Sequence, residues 1–377
     1  MRVNENELRN NIIKSLKSQG FNVNPHLKPK RNEKDILRKI HKQKRLEQIK
    51  FHKTFLLKNF KEIKKFSIDG KDLNPSKIDL KLIEVVPESF ESKLFFWWNL
   101  IWWSIPFDKP IGRQMKFILW DRYHNAPFGL IGLQSPPLRS LVRDSFLGLN
   151  NVDNDYWINQ SMYGQRIGAL PPYNELLGGK MVTLSLTSNE LRKAYSKKYE
   201  NKKSIIKKRK IPGRLLFITT TSAFGKSSMY ERIKYHSEPV SHFIGYTSGY
   251  GTFHLPESLY EEVLLFLEQK GIDTKRGYGT GPSRKFKLIS NACRQLKLPL
   301  FTFHNIRRGC YFFAQAKNFQ NVIHDKKKPI WYNRPFEDLT YYWLERWGIP
   351  RSNRTEEWKN FDKEKYLKKT ELQIKRL

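Results

Sequence analysis

The segment Leu94 to Phe107, LFFWWNLIWWSIPF, holds four tryptophans and no charged side chain. Such a run cannot be left in water. It is shorter than the roughly 18–20 residues needed to span a bilayer. It also lacks the basic amphipathic face of an interfacial membrane helix. The expectation is a buried packing element, so the chain must build a core around it. The material is present: 39% of residues are hydrophobic and 14% aromatic, too many for a disordered chain. The 377 residues leave room for two or three domains at roughly 100–200 residues each. No apolar stretch precedes Phe51, which argues against a secretory signal. Two cysteines, Cys293 and Cys310, are too few for a zinc site and form no CxxC pair. A soluble, cytoplasmic protein in a reducing compartment is expected.

Charge sets the second constraint. There are 70 Lys and Arg against 36 Asp and Glu, a formal net charge of +34. A fold this cationic repels itself unless an anionic partner offsets it, and a pI near 10.0 is the footprint of nucleic-acid binders. A lysine-rich proteome would also raise surface charge, and the many Asn and Ile residues fit an AT-biased genome. The basic clusters fall at 28–50, 202–210, 275–287 and 307–308.

The chain reads in four parts. Residues 1–66 form a basic arm whose apolar positions, such as Ile36, Ile40, Phe55, Leu56 and Phe60, have helical spacing. The arm is either a phosphate-contacting helix or a solvated docking helix. Residues 67–90 are a turn-rich polar connector. From 91 to 256 strands and helices alternate. MKFILWDR (115–122) and FGLIGLQS (128–135) predict a hairpin. A short strand is expected at Ser145–Leu149, a longer one at Tyr156–Leu170, and a helix at Leu176–Tyr199 interrupted by Gly178-Gly179. RLLFITTT (214–221) predicts a buried strand, Ser227–Tyr235 a short helix, and HFIGYT (242–247) a last strand. Residues 257–377 predict helices with an aromatic and basic character.

Four segments resemble a known family: GRQMKFILWDR…FGLIGLQSP (112–136), GALPPYNELLGGKMV (168–182), ITTTSAFGKSSMYERI (218–233) and IGYTSGYGTFHLP (244–256). They look like the DruA proteins of the Druantia anti-phage defence system and their transposon-encoded relatives. The resemblance covers roughly 90–260. It implies a prokaryotic protein of defence or mobile-element biology, with Asp121, Asn174, Gly178, Gly179, Lys180, Ser222, Gly225, Ser227, Ser228, Tyr230, Arg232 and His254 among the recurrent positions. The order of elements is also similar to the GNAT acyltransferase fold. That likeness implies an α+β protein with a mixed, mostly antiparallel sheet and flanking helices. A helical arm precedes the sheet, and a helical, aromatic region follows it. It puts Asn174–Lys180 where that fold holds a pyrophosphate at a helix start, and Tyr230 where it often has a catalytic Tyr.

Each motif has a chemical and a bland reading. Gly178-Gly179-Lys180 offers close backbone approach and a compact positive charge, suited to a phosphate; the glycines would equally serve close packing. Ser222 to Ser228, SAFGKSS, lacks the Walker A glycine, since Thr220 stands five residues before Gly225. Its Gly225, Lys226, Ser227 and Ser228 could still present N–H groups, a charge and hydroxyls to one phosphate, or Ser227 could be a plain N-cap. In GYTSGYGTFH, Tyr246 and Tyr250 could stack on bases and His254 could carry a proton. His236, Glu238 and His242 have a metal-like spacing broken by Pro239. Asp121, Asp144, Asp153 and Asp155 are the candidate carboxylates for a two-metal nuclease, but they form no DExK or HNH-like cluster.

These features support a nucleic-acid-binding component of a defence or mobile-element complex, contacting DNA or RNA and other subunits but no membrane. The second expectation is a GNAT-like transferase with an acyl-CoA or nucleotide-linked donor and Tyr230 or His254 as proton carrier. A metal-dependent nuclease using Asp121 is third. The sequence fixes no cofactor.

Overall fold

In the computed structural model the described residues are 3–23, 27–30, 34–106, 112–149, 152–204, 207–223, 225–249, 255–275, 284–298 and 303–377. The apolar alternation of the middle region becomes strands β1 (Leu80–Glu84), β2 (Gln114–Asp121), β3 (Ala126–Gln134), β4 (Ser161–Ala169), β5 (Phe217–Thr221), β6 (His242–Tyr246) and β7 (Gly309–Ala314). They make one sheet in the order β6-β7-β5-β4-β3-β2-β1. Every neighbouring pair is antiparallel except β4 and β5, which run parallel. The expected α+β class and the mixed, mostly antiparallel sheet are both present.

The chain divides into two compact units. One comprises Met1–Gln48, Ser104–Pro106 and Thr247–Arg308. In it the Glu5–Gln19 helix buries Leu8, Ile12 and Leu16, a stripe at 3.6-residue spacing, and packs on the helix Glu257–Gln269. The other unit, the remainder of the chain, holds the whole sheet. Alternation along β2 sends Met115, Phe117 and Leu119 to one face and Ile118 to the other. The first face is covered by helices Gly178–Ser185, Asn189–Tyr199 and Phe336–Trp343. Helices Lys53–Lys65, Phe90–Trp102 and Lys363–Arg376 cover the second.

The tryptophan-rich run is the helix Phe90–Trp102, started by the Ser89 side chain, which accepts from the Ser92 N–H at 3.1 Å. Trp97 is fully buried and its indole N–H donates to the Leu56 carbonyl at 3.1 Å. The apolar run is thus a packing element, and among the described residues no helix is long and apolar enough to cross a membrane.

Several local expectations fail for identifiable reasons. Ser145–Leu149 is not a strand; a helix, Leu141–Leu147, ends there on Gly148 at φ 62°. Tyr156 lies in a helix, Asn154–Ile158, because the Asp153 side chain accepts from the Tyr156 N–H. The Leu176–Tyr199 helix is two helices, the second started by Ser188. Ser227–Tyr235 is not a helix: its turn ends at Arg232, whose φ of 56° a helix of L-residues cannot continue through, and Lys234–Tyr235 pair as a short strand with Glu238–Pro239. Finally, β7 comes from the region expected to be helical.

Candidate functional site

Strands β4 and β5 pair from Ser161↔Phe217 to Gly164↔Thr220. Beyond that point β4 continues to Ala169 against β3, while β5 ends at Thr221. Where the pairing stops there is a cavity of about 450 Å³. Gln165, Ile167 and Gly168 line it from β4, and Thr220 and Thr221 from β5. Trp102 and Trp103 form a further wall, their rings 5.1 Å apart. Gly168 permits this: a Cβ there would lie 2.7 Å from the Trp102 ring.

The Gly-Gly-Lys motif reaches the same cavity. Tyr173–Leu176 is a 3-10 turn, and Leu177 at φ 57° redirects the chain into the helix Gly178–Ser185. The Trp343 indole N–H holds the Leu177 carbonyl at 3.2 Å. The two glycines do different work. A Cβ on Gly178 would meet the Tyr173 carbonyl oxygen at 2.6 Å, so this glycine serves close packing. A Cβ on Gly179 would meet only the flexible Met229 side chain, at 2.8 Å. Gly178→Ala is therefore expected to cost about 1–3 kcal/mol, and Gly179→Ala under about 1 kcal/mol. Paired urea melts will compare them, and equal losses would refute the distinction.

Gly179, Lys180 and Asn174 line the cavity. The Lys180 ammonium donates to the Ser228 carbonyl at 3.3 Å and lies 5.4 Å from the Trp347 ring centre. Burial lowers its pKa from the ordinary lysine value. The first motif thus grips the second.

In the second motif the residues divide. Ser222 accepts from the Gly309 N–H at 3.1 Å and donates to the Gly225 carbonyl, so its hydroxyl is spent on a local turn. Gly225 adopts φ 53°. The Ser227 N–H donates to the Tyr311 hydroxyl at 3.0 Å. Lys226 is exposed, 4.3 Å from the Phe243 ring centre and 3.5 Å from Glu231. Ser227, Ser228 and Tyr230 line the cavity. Tyr230 is buried, and that burial holds its phenol far above its ordinary pKa.

The remaining described candidates lie apart from the cavity lining. Arg232 is exposed, and Tyr246 packs edge-on against Phe243 at 5.1 Å. Tyr250 and His254 fall outside the described residues. Asp121 is wholly buried and accepts from the Tyr173 hydroxyl at 2.9 Å, which makes it a brace rather than an accessible base. Asp144 pairs with Arg143 at 2.7 Å, Asp155 with Lys207 at 2.5 Å, and Asp153 with Arg209. Glu238 is held by Lys317 at 2.9 Å and Arg334 at 3.4 Å. The Lys317 hydrogen bond, above all, keeps its carboxyl below the usual range. Among the described residues no three His, Cys, Asp or Glu side chains converge as metal ligands. Sequence reading missed Trp102, Trp103 and Thr220 as cavity residues, while the family resemblance includes Thr221 among its recurrent positions; the signal for the tryptophans is the paired indoles at the end of the apolar run.

Fold and site define an α+β protein with a ligand-sized cavity where two parallel strands part. The chain belongs to the DruA family: the family model described as Druantia protein DruA matches residues 31–325. The chain is also 30% identical over 362 residues to the Druantia protein DruA of Escherichia coli (strain UMEA 4076-1), spanning 94% of this chain and 89% of that relative. Membership implies a component of the Druantia anti-phage defence system. No solved structure matches.

Proposed function

We propose that the chain is a nucleic-acid-binding component of that defence system, working with other subunits. One observation carries this reading. If every carboxylate paired with one cation, 34 Lys and Arg side chains would still be unmatched. The segment 202–210 illustrates the surface this creates. Lys203 and Lys210 bridge across it, the Ser204 N–H meets the Arg209 carbonyl at 2.8 Å, and Lys202, Lys203, Lys208 and Lys210 are exposed. Clustered, solvated lysines on a turn suit phosphates, whose counterions they release.

A mobility-shift assay at two salt concentrations tests this. Gripping six or more phosphates weakens binding by about 10³-fold or more between 50 and 200 mM salt. Salt-independent retention, or no binding to single- and double-stranded DNA and RNA, overturns the reading.

A second reading, a GNAT-like transferase with an acyl-CoA or nucleotide-linked donor, is favoured by the parting of β4 from β5. A hairpin, a strand, a glycine-bearing turn into a helix and a parallel strand beside it support that likeness. Under this reading Tyr230, which stays protonated at neutral pH, is the proton carrier.

A further inference from the structure

We propose that the cavity where β4 and β5 part receives a single nucleotide, its base against the Trp102–Trp103 wall and its phosphate at Lys180 and Ser228. The inference rests on the nucleic-acid reading and adds to it: the polymer presents one unpaired residue, at an end or out of a stack, to this cavity.

Three observations converge. Among the described residues lining the cavity the one charged group is Lys180, and there is no carboxylate, so the wall selects an anion. The two indoles, 5.1 Å apart and inclined at 50°, present aromatic surface of the kind that bases use irrespective of sequence. The volume, about 450 Å³, lies in the lower part of the range of roughly 300–1,000 Å³ found for small-molecule sites. That is room for one nucleotide and not for a duplex. Between these features Asn174, Thr220 and Thr221 offer the mixed donors and acceptors a sugar needs.

The test is calorimetric titration of the full chain with dAMP, dTMP, inorganic phosphate and acetyl-CoA, in parallel with mobility shifts on a single-stranded oligonucleotide. Both mononucleotides should bind, and phosphate alone at least about tenfold more weakly. Lys180→Gln, which removes the charge and keeps a polar side chain, should weaken mononucleotide binding about tenfold, equivalent to about 1.4 kcal/mol. Its melting temperature should stay within a few degrees of the parent. Trp103→Ala, which removes one indole of the wall, should weaken it in the same direction and serves if the lysine variant fails to fold. Unchanged affinity in both variants overturns the proposal. So does binding of acetyl-CoA without any response to mononucleotides, which favours the transferase. Polymer binding with no mononucleotide response overturns the cavity inference alone. Mononucleotide binding without polymer binding keeps the cavity and overturns the polymer reading.

Discussion

Asp121→Ala is expected to cost about 3–5 kcal/mol of stability, read as a lower urea midpoint. The carboxylate is completely buried. One oxygen accepts the N–H groups of Asp79 and Tyr123 at 3.2 Å and of His124 at 3.4 Å. The other accepts the Tyr173 hydroxyl at 2.9 Å and meets the His124 Nδ1 at 2.6 Å. His124 Nε2 accepts from the Asn74 N–H at 3.0 Å, so a neutral ring must carry its proton on Nδ1 and donate it to Asp121. One side chain thereby ties the β2–β3 turn, the chain entering β1 and the turn that leads to Gly178. Alanine leaves five donors to seek new partners. Each buried donor left bare costs about 1–3 kcal/mol, and partial relaxation brings the sum to the range typical of a broken buried charge network. Asp121→Asn keeps one acceptor oxygen and should lose about half as much. An unchanged midpoint for the alanine variant would show that the carboxylate does not bear these turns. A catalytic carboxylate would behave in the opposite way, sparing the fold and removing the chemistry.

The parts of this protein that the sequence announces are those whose signal is local. MKFILWDR and FGLIGLQS form β2 and β3 in register, with Ile118 opposite Leu130, because their patterns and the turn between them agree. RLLFITTT gives β5 through its β-branched run. Strand β7 is different. GCYFFA is buried at every position because both sheet faces are covered. Its place between β5 and β6 is set by pairing with residues far away in the chain, which no local pattern encodes. The site shows the same divide. Gly178 and Gly179 are one letter repeated, yet one meets a carbonyl and the other a thioether. Ser222 has the residue type of a phosphate ligand, but its hydroxyl closes its own turn. Trp102 and Trp103 belong to an apolar run that reads the same whether its last indoles meet a core or a cavity.

Lowering the pH from 7 to 5 should remove on the order of 4 kcal/mol from the unit that contains His41 and His304. Burial, above all, depresses both histidines, His41 to about 3 and His304 to about 4. Arg308 adds to both, its guanidinium 3.4 Å from the His41 Nε2, and Lys44, His304 and Arg45 add to His41. The His304 Nδ1 accepts from the Ile306 N–H at 3.1 Å, so protonation there would break a bond as well as bury a charge. In the unfolded chain both rings take up protons below about pH 6.5. The folded chain resists until about pH 4, so between those values the unfolded state binds more protons and stability falls as pH falls. Each histidine contributes about 1.4 kcal/mol per pH unit across that window. Denaturant melts at pH 7, 6 and 5 measure the slope, and histidine proton resonances followed by NMR assign it. His304→Gln should remove about half of the pH dependence, and the same change at His41 the other half. A flat profile from pH 7 to 5 with both histidines in place would mean that water or a counter-ion reaches these rings, and their burial would then have to be abandoned.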